Sequence, residues 1–188
     1  MSADFFFRPE DHSYWLGERR LPGVTEIIDY FGFIPEFSKD EERAEEGQVI
    51  HEAAKYLFQK RLDWKSVDSA VLGYLVSLDL WLKATGFLAE ECEQALYHLV
   101  LLFAGTVDCK GRLPNNSRWI IDIKSGAAAR WHKWQTAGYR ILSREYRRRG
   151  ALYLQKDGSM ARFKEHDEET DAAEFISMRN VFRIKEGY

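Results

Sequence analysis

Phe103-Ala104-Gly105-Thr106-Val107-Asp108 and, after a polar stretch, Trp119-Ile120-Ile121-Asp122-Ile123-Lys124-Ser125-Gly126 are the segments that decide the fold. The second is β-branched and aromatic, and Ser125-Gly126 ends it, so it reads as a strand. The first closes residues 93–108, which are rich in Leu, Val and Phe without helical spacing. Gly111, Pro114, Asn115 and Asn116 make the loop between them. The two runs are therefore expected as adjacent strands of one sheet. Side chains alternate faces along a strand. Trp119, Ile121 and Ile123 point one way, and Ile120, Asp122 and Lys124 the other. Asp108 shares a face with Thr106, Val107 faces away, and Gly105 lets another backbone or a ligand come close.

Two aspartates brought together from neighbouring strands repel, and one must take a proton unless a cation lies between them. A hard divalent cation, Mg²⁺ or Mn²⁺, meets that need with carboxylate oxygens and waters. Lys124 beside them can orient or help deprotonate a water and can neutralise charge on a phosphate. Together they describe metal-assisted hydrolysis of a phosphodiester. Asp-x-Lys alone also reads as a surface ion pair worth about 0–1 kcal/mol, so the surroundings have to decide.

Upstream, Phe5-Phe6-Phe7 and Tyr14-Trp15-Leu16 are β-prone, with Gly17-Glu18 as a turn. Thr25 is the expected N-cap of a short helix through Ile27, Ile28 and Phe31, ended by Gly32. Helices are expected over about 39–62, from Ala44, Ile50, Ala53, Leu57 and Phe58, and over about 67–85, from Val67, Val71, Tyr74, Leu75, Leu78 and Leu82. Downstream, a helix is expected over about 130–149, closed by Gly150. Ala151-Leu152-Tyr153-Leu154 and Met160-Ala161-Arg162-Phe163 flank an Asp157-Gly158 hairpin turn, and a last helix covers about 167–182. The order gives an α/β fold, a central mixed sheet flanked by helices with an N-terminal hairpin and a helical insertion. Residues 1–188 suit a single domain.

Composition excludes several classes. Hydrophobic residues make up 45% and aromatics 14%, enough for a substantial core. No run can cross a bilayer, and Met1-Ser2-Ala3-Asp4 opens no secretory signal. Cys92 and Cys109 are too few for a disulfide framework or a four-cysteine metal site. A cytoplasmic location without membrane contact is the expectation. The formal net charge is -3, yet residues 130–149 carry seven basic side chains and one acid, Glu145. Such a block reads either as a polyanion-binding surface or as a solvated helix end.

The pattern Gly105-Thr106-Val107-Asp108, then Asp122-Ile123-Lys124, resembles the PD-(D/E)xK nuclease superfamily, and within it the RecB-like and lambda-exonuclease-like branch. The resemblance implies a restriction-endonuclease-like core, with Asp108 and Asp122 as metal ligands, the Ile123 carbonyl as a further ligand and Lys124 as the catalytic lysine. Gln135 and Tyr139 match the branch's Gln-x-x-x-Tyr motif, and their spacing puts them on one helix face. Gly47-Gln48-Val49-Ile50-His51 matches its Gly-x-x-x-His motif, making His51 a metal ligand. Gly47 in mid-helix costs about 1 kcal/mol and so calls for a reason. The branch's strand glutamate falls on Glu93, with Glu91 a near rival. The opening, His12 to Thr25, is similar to phage-type members. The name-giving proline is absent before Asp108, and without four cysteines no iron–sulfur cluster is expected.

The resemblance implies a Mg²⁺- or Mn²⁺-dependent DNA exonuclease of recombination, repair or phage DNA metabolism. Arg130, Lys133 and Arg140 are its expected phosphate contacts and Trp131 and Trp134 its candidate base-stacking rings. DNA is the expected partner, with a recombination protein as a second, and homo-oligomerisation is left open. A non-catalytic nucleic-acid-binding or scaffold protein with this fold, or an endonuclease, are the alternatives.

Overall fold

The structure, a computed structural model, describes residues 4–36 and 41–187. Three short strands, β1 (Phe5–Arg8), β2 (Ser13–Leu16) and β3 (Arg19–Leu21), form an antiparallel meander, followed by α1 (Val24–Tyr30), α2 (Glu41–Phe58) and α3 (Ser69–Thr85). Then come β4 (Leu88–His98), β5 (Phe103–Arg112), β6 (Arg118–Lys124), α4 (His132–Leu142), β7 (Arg148–Tyr153), β8 (Arg162–Glu165) and α5 (Thr170–Glu186). Strands β4 to β8 make one mixed sheet in sequence order; only β6 and β7 run parallel, joined through α4.

Helices cover both faces of this sheet. Ile50, Leu57, Leu75, Leu78 and Trp81 of α2 and α3 pack with Cys109, Ile121, Ile123 and Leu152. Val24, Ile27, Ile28, Trp134, Tyr139 and Phe175 of α1, α4 and α5 pack with Phe103, Val107 and Ile120. The alternation expected for β6 holds, since Ile121 and Ile123 join one core and Ile120 the other. The N-terminal sheet packs Tyr14 and Leu21 on Ala104, with Phe5, Phe7 and Tyr97 around them. Among the described residues no helix is long and apolar enough to cross a membrane.

Several expectations are corrected. Gly17-Glu18 joins β2 to β3, because the 9–12 turn already pairs β1 with β2. Gly23, not Thr25, caps α1: its N–H donates to the Glu26 carboxylate at 3.2 Å. The 39–62 helix is α2, which ends at Phe58; its expected start at Lys39 lies outside the described residues. Asp68, which accepts from the Ala70 N–H, starts α3 two residues late. Residues 93–108 are not one strand but the second half of β4, a turn, and the first half of β5, so Asp108 and Gly111 both lie inside β5. The 130–149 helix ends at Leu142; Arg148, Arg149 and Gly150 belong to β7, where Gly150 packs under Phe163. The last helix starts at Thr170 rather than Asp167 and runs past Phe182.

Candidate metal centre

The site is built where β4 and β5 lose their regular pairing. Cys92 pairs with Cys109 and Gln94 with Val107, but no Glu93–Asp108 pair links them. Glu93 takes a left-handed backbone, φ 53°, which is uncommon for a residue with a side chain. The period-two rule fails at the same place: Val107 joins the core under α4 while Cys109, two residues on, joins the core under α2 and α3. The ladder to β6 also stops here, with Cys109 opposite Ile121 as its last pair. Beyond it, Asp108 accepts a 2.7 Å hydrogen bond from the Ile123 N–H.

His51 enters from α2. The neighbouring Ile50 is fully buried against the sheet, and His51 Nδ1 stands 3.5 Å from Asp108 Oδ2 and 3.9 Å from Glu93 Oε1. One ligand atom from each of His51, Glu93 and Asp108 lies within 4.8 Å of the other two, so this group could hold a divalent metal ion. Glu91 instead points to Lys110, 3.2 Å away, which separates it from its rival Glu93.

Asp122 and Lys124 share a face and form an ion pair, with Lys124 Nζ 2.9 Å from Asp122 Oδ2. Asp122 is 1% exposed, and its Oδ1 has no hydrogen-bond partner among the described residues. It stands outside the His51–Glu93–Asp108 group. Gln135 Nε2 donates to Tyr139 Oη at 3.0 Å, both residues being buried. The Tyr139 ring lies over Gly105, where a Cβ would come within 3.0 Å of it. The glycine of the Gly-x-x-Asp run therefore admits the tyrosine of α4. Gly47 has no such task, as a Cβ there would meet nothing within 4 Å.

The electrostatics follow from burial and proximity. Burial disfavours a charged His51, but the Asp108 carboxylate and hydrogen bonds to Asp108 and Glu93 push it up to about 10. Burial likewise opposes ionisation of Asp108, yet His51, Lys124 and the Ile123 N–H hold its carboxyl below the ordinary carboxylate range. Asp122 is raised to about 6, by burial first and by Asp108 second, against the pull of Lys124. Without a metal, protons and the lysine thus balance the acids.

Two members of the basic block, Lys133 and Arg149, are committed to acids of the protein, whereas Arg130, Arg144, Arg147 and Arg148 are exposed. Lys133 Nζ lies 2.9 Å from Asp171 and 3.0 Å from Glu174. Arg149 is buried on Asp171 and the Lys133 and Glu168 carbonyls, and Arg148 pairs with Glu165. Arg130 is exposed, 5.5 Å over the Trp134 ring, and Arg140 is half-buried. Trp134 is buried, and its indole donates to Glu174, so it is not a base-stacking platform.

Two contacts near the site were not expected from the sequence. Lys124 Nζ sits 5.2 Å from the centre of the Trp131 ring. Tyr14 Oη lies 3.1 Å from Thr106 Oγ1 and 3.2 Å from His12 Nε2. The Tyr14–Thr106 contact joins segments remote in sequence.

No protein-family model and no curated protein matches the chain. Among solved structures it is similar to SSO0001, with 15% identity and a TM-score of 0.39 over 86% of this chain and 83% of that one. It is also similar to LHK-Exo in complex with dAMP, with 12% identity and a TM-score of 0.42 over 88% and 87%. Overlaps this low carry no weight for the chemistry, which rests on the side chains.

Proposed function

We propose that the chain is a DNA nuclease that needs Mg²⁺ or Mn²⁺, and that it acts as an exonuclease in recombination, repair or phage DNA metabolism, with residues 1–188 as one domain. The observation that carries this reading is the convergence of His51, Glu93 and Asp108, tied through the Ile123 N–H to the strand bearing Asp122 and Lys124. The donor set fits a hard cation, with two carboxylates and one imidazole. The unpartnered Asp122 Oδ1 offers another oxygen. His51, Glu93, Asp108 and Asp122 would hold the ion, with the Ile123 carbonyl added by the resemblance. A divalent cation there supplies Lewis-acid charge to a phosphoryl oxygen and makes a bound water more acidic.

The chain's own side chains do the rest. The Asp122 carboxylate fixes the Lys124 ammonium, which orients the attacking water and offsets charge growing on the phosphate. Gln135 and Tyr139, buried and hydrogen-bonded to each other, would support the site from α4. Arg130 and Arg140 hold flanking phosphates, a contact that weakens as salt rises; Lys133, held by two acids, is assigned a structural part instead. The test is digestion of end-labelled linear DNA and closed circular plasmid with Mn²⁺. Mononucleotides from the linear substrate, none from the circle, and none from Lys124→Ala support the reading. Cleavage of the circle points to an endonuclease, and no cleavage of either DNA contradicts the enzyme reading.

A further inference from the structure

We propose that Cys92 and Cys109 form a reversible disulfide across β4 and β5, a modification site adjoining the candidate metal ligands. The two residues are cross-strand partners with Sγ atoms 3.6 Å apart. Cys92 is half-buried at the edge of the core, and Cys109 beside it is buried. Directly opposed residues of an antiparallel pair hold their Cβ atoms about 4.5–5.5 Å apart, and a disulfide draws them to about 3.5–4.5 Å. The strands must therefore close by about an ångström. The slack lies next door, because the following Glu93–Asp108 pair is missing from the ladder and Glu93 already has a left-handed backbone.

The chemistry is thiol–disulfide exchange with a small disulfide such as oxidised glutathione. The Cys92 thiolate attacks one sulfur of the reagent; a Cys92–glutathione bond forms, the reagent's own S–S bond breaks, and one glutathione thiolate leaves. Cys109 gives its proton to solvent, attacks Cys92 Sγ and expels the second glutathione thiolate. Two protein thiols are oxidised and one small disulfide is reduced to two thiols. Because Glu93 follows Cys92 and Asp108 precedes Cys109, the bridge shifts both carboxylates against His51 and weakens cation binding. That consequence rests on the metal reading above; the bridge itself does not.

The experiment treats the whole protein with oxidised glutathione, then alkylates it under denaturing conditions and measures intact mass. Lys83 and Lys110 bound one tryptic peptide holding both cysteines, so the bridge is read as a peptide that has lost two hydrogens and takes no alkyl group. The expected result is that species, reversed by dithiothreitol and absent from Cys109→Ala and from Cys92→Ser, the latter altering only the half-buried partner. Two alkylated thiols, or a lasting glutathione adduct on Cys92 with Cys109 free, overturns the bridge. Mn²⁺ titration of both forms should show about tenfold weaker binding after oxidation. Equal affinity overturns the coupling. Reduced protein that binds no Mn²⁺ overturns the metal reading, while the thiol count still decides the bridge.

Discussion

The Ile123 amide donates a 2.7 Å hydrogen bond to the carboxylate of Asp108, just past the point where β5 and β6 stop pairing. Ile123 is the middle residue of Asp122-Ile123-Lys124, so this single bond docks the aspartate of one strand onto the acid–lysine strand beside it. The same carboxylate oxygen, Oδ2, also faces His51, whose Nδ1 lies 3.5 Å away.

Asp108→Asn keeps an oxygen able to accept from Ile123 and removes the charge. Its fold should survive, while the His51 pKa drops from about 10 toward its ordinary value near 6.5. Mn²⁺ affinity should fall at least about tenfold. An NMR titration of the His51 ring, read with calorimetric Mn²⁺ binding, checks both effects.

Metal binding should release protons and strengthen with pH. His51 is raised to about 10 and Asp122 to about 6, so at neutral pH a cation must displace the His51 proton, and below about 6 the Asp122 proton as well. Calorimetry in buffers of different ionisation enthalpy should count more than half a proton released at pH 7. In the metal-free protein the His51 shift acts the other way. Its stability contribution is complete below about 6.5 and is lost as pH rises toward 10.

His132 and His166 make the fold sensitive to acid. Both are buried; burial, with Lys124 near His132 and Arg149 near His166, pushes them down to about 3 and about 4. They stay neutral in the folded state, whereas the unfolded chain takes up protons below about 6.5. Their contribution is present above about 6.5 and lost as pH falls, by at most about 1.4 kcal/mol per pH unit for each. Urea midpoints at pH 7 and pH 5 measure the loss, and His166→Gln should reduce it.

Lys133 and Arg130 should behave differently although both belong to the basic block. Lys133→Ala removes a cation from Asp171 and Glu174 and should cost stability on the order of 1–3 kcal/mol. Arg130→Ala should leave the urea midpoint unchanged and weaken DNA binding, lowering the salt slope by about one. Unfolding curves and binding isotherms at two salt concentrations separate the two.

Much of this was legible in the chain. Strand β6 declared itself through Trp119-Ile120-Ile121, and its period-two faces hold in the packed sheet. Placing His51, Glu93 and Asp108 in one group was beyond local pattern, because three remote segments meet there. The strand reading failed at Asp108, where the left-handed Glu93 lets two adjacent strands change faces together; no residue type signals such a break, since Glu is not a usual left-handed residue. The basic block misled for a related reason. It was expected to lie along one long helix, but α4 ends at Leu142, and β7, which begins at Arg148, turns Arg149 inward onto Asp171. Charge along a sequence does not reveal which acids a later helix, here α5, brings to meet it.

A crystal grown with Mn²⁺ and measured at the manganese absorption edge tests the centre most directly. The account predicts an anomalous peak within coordination distance, about 2.0–2.4 Å, of His51, Glu93 and Asp108. A fully occupied manganese elsewhere, with none between these three side chains, would contradict it.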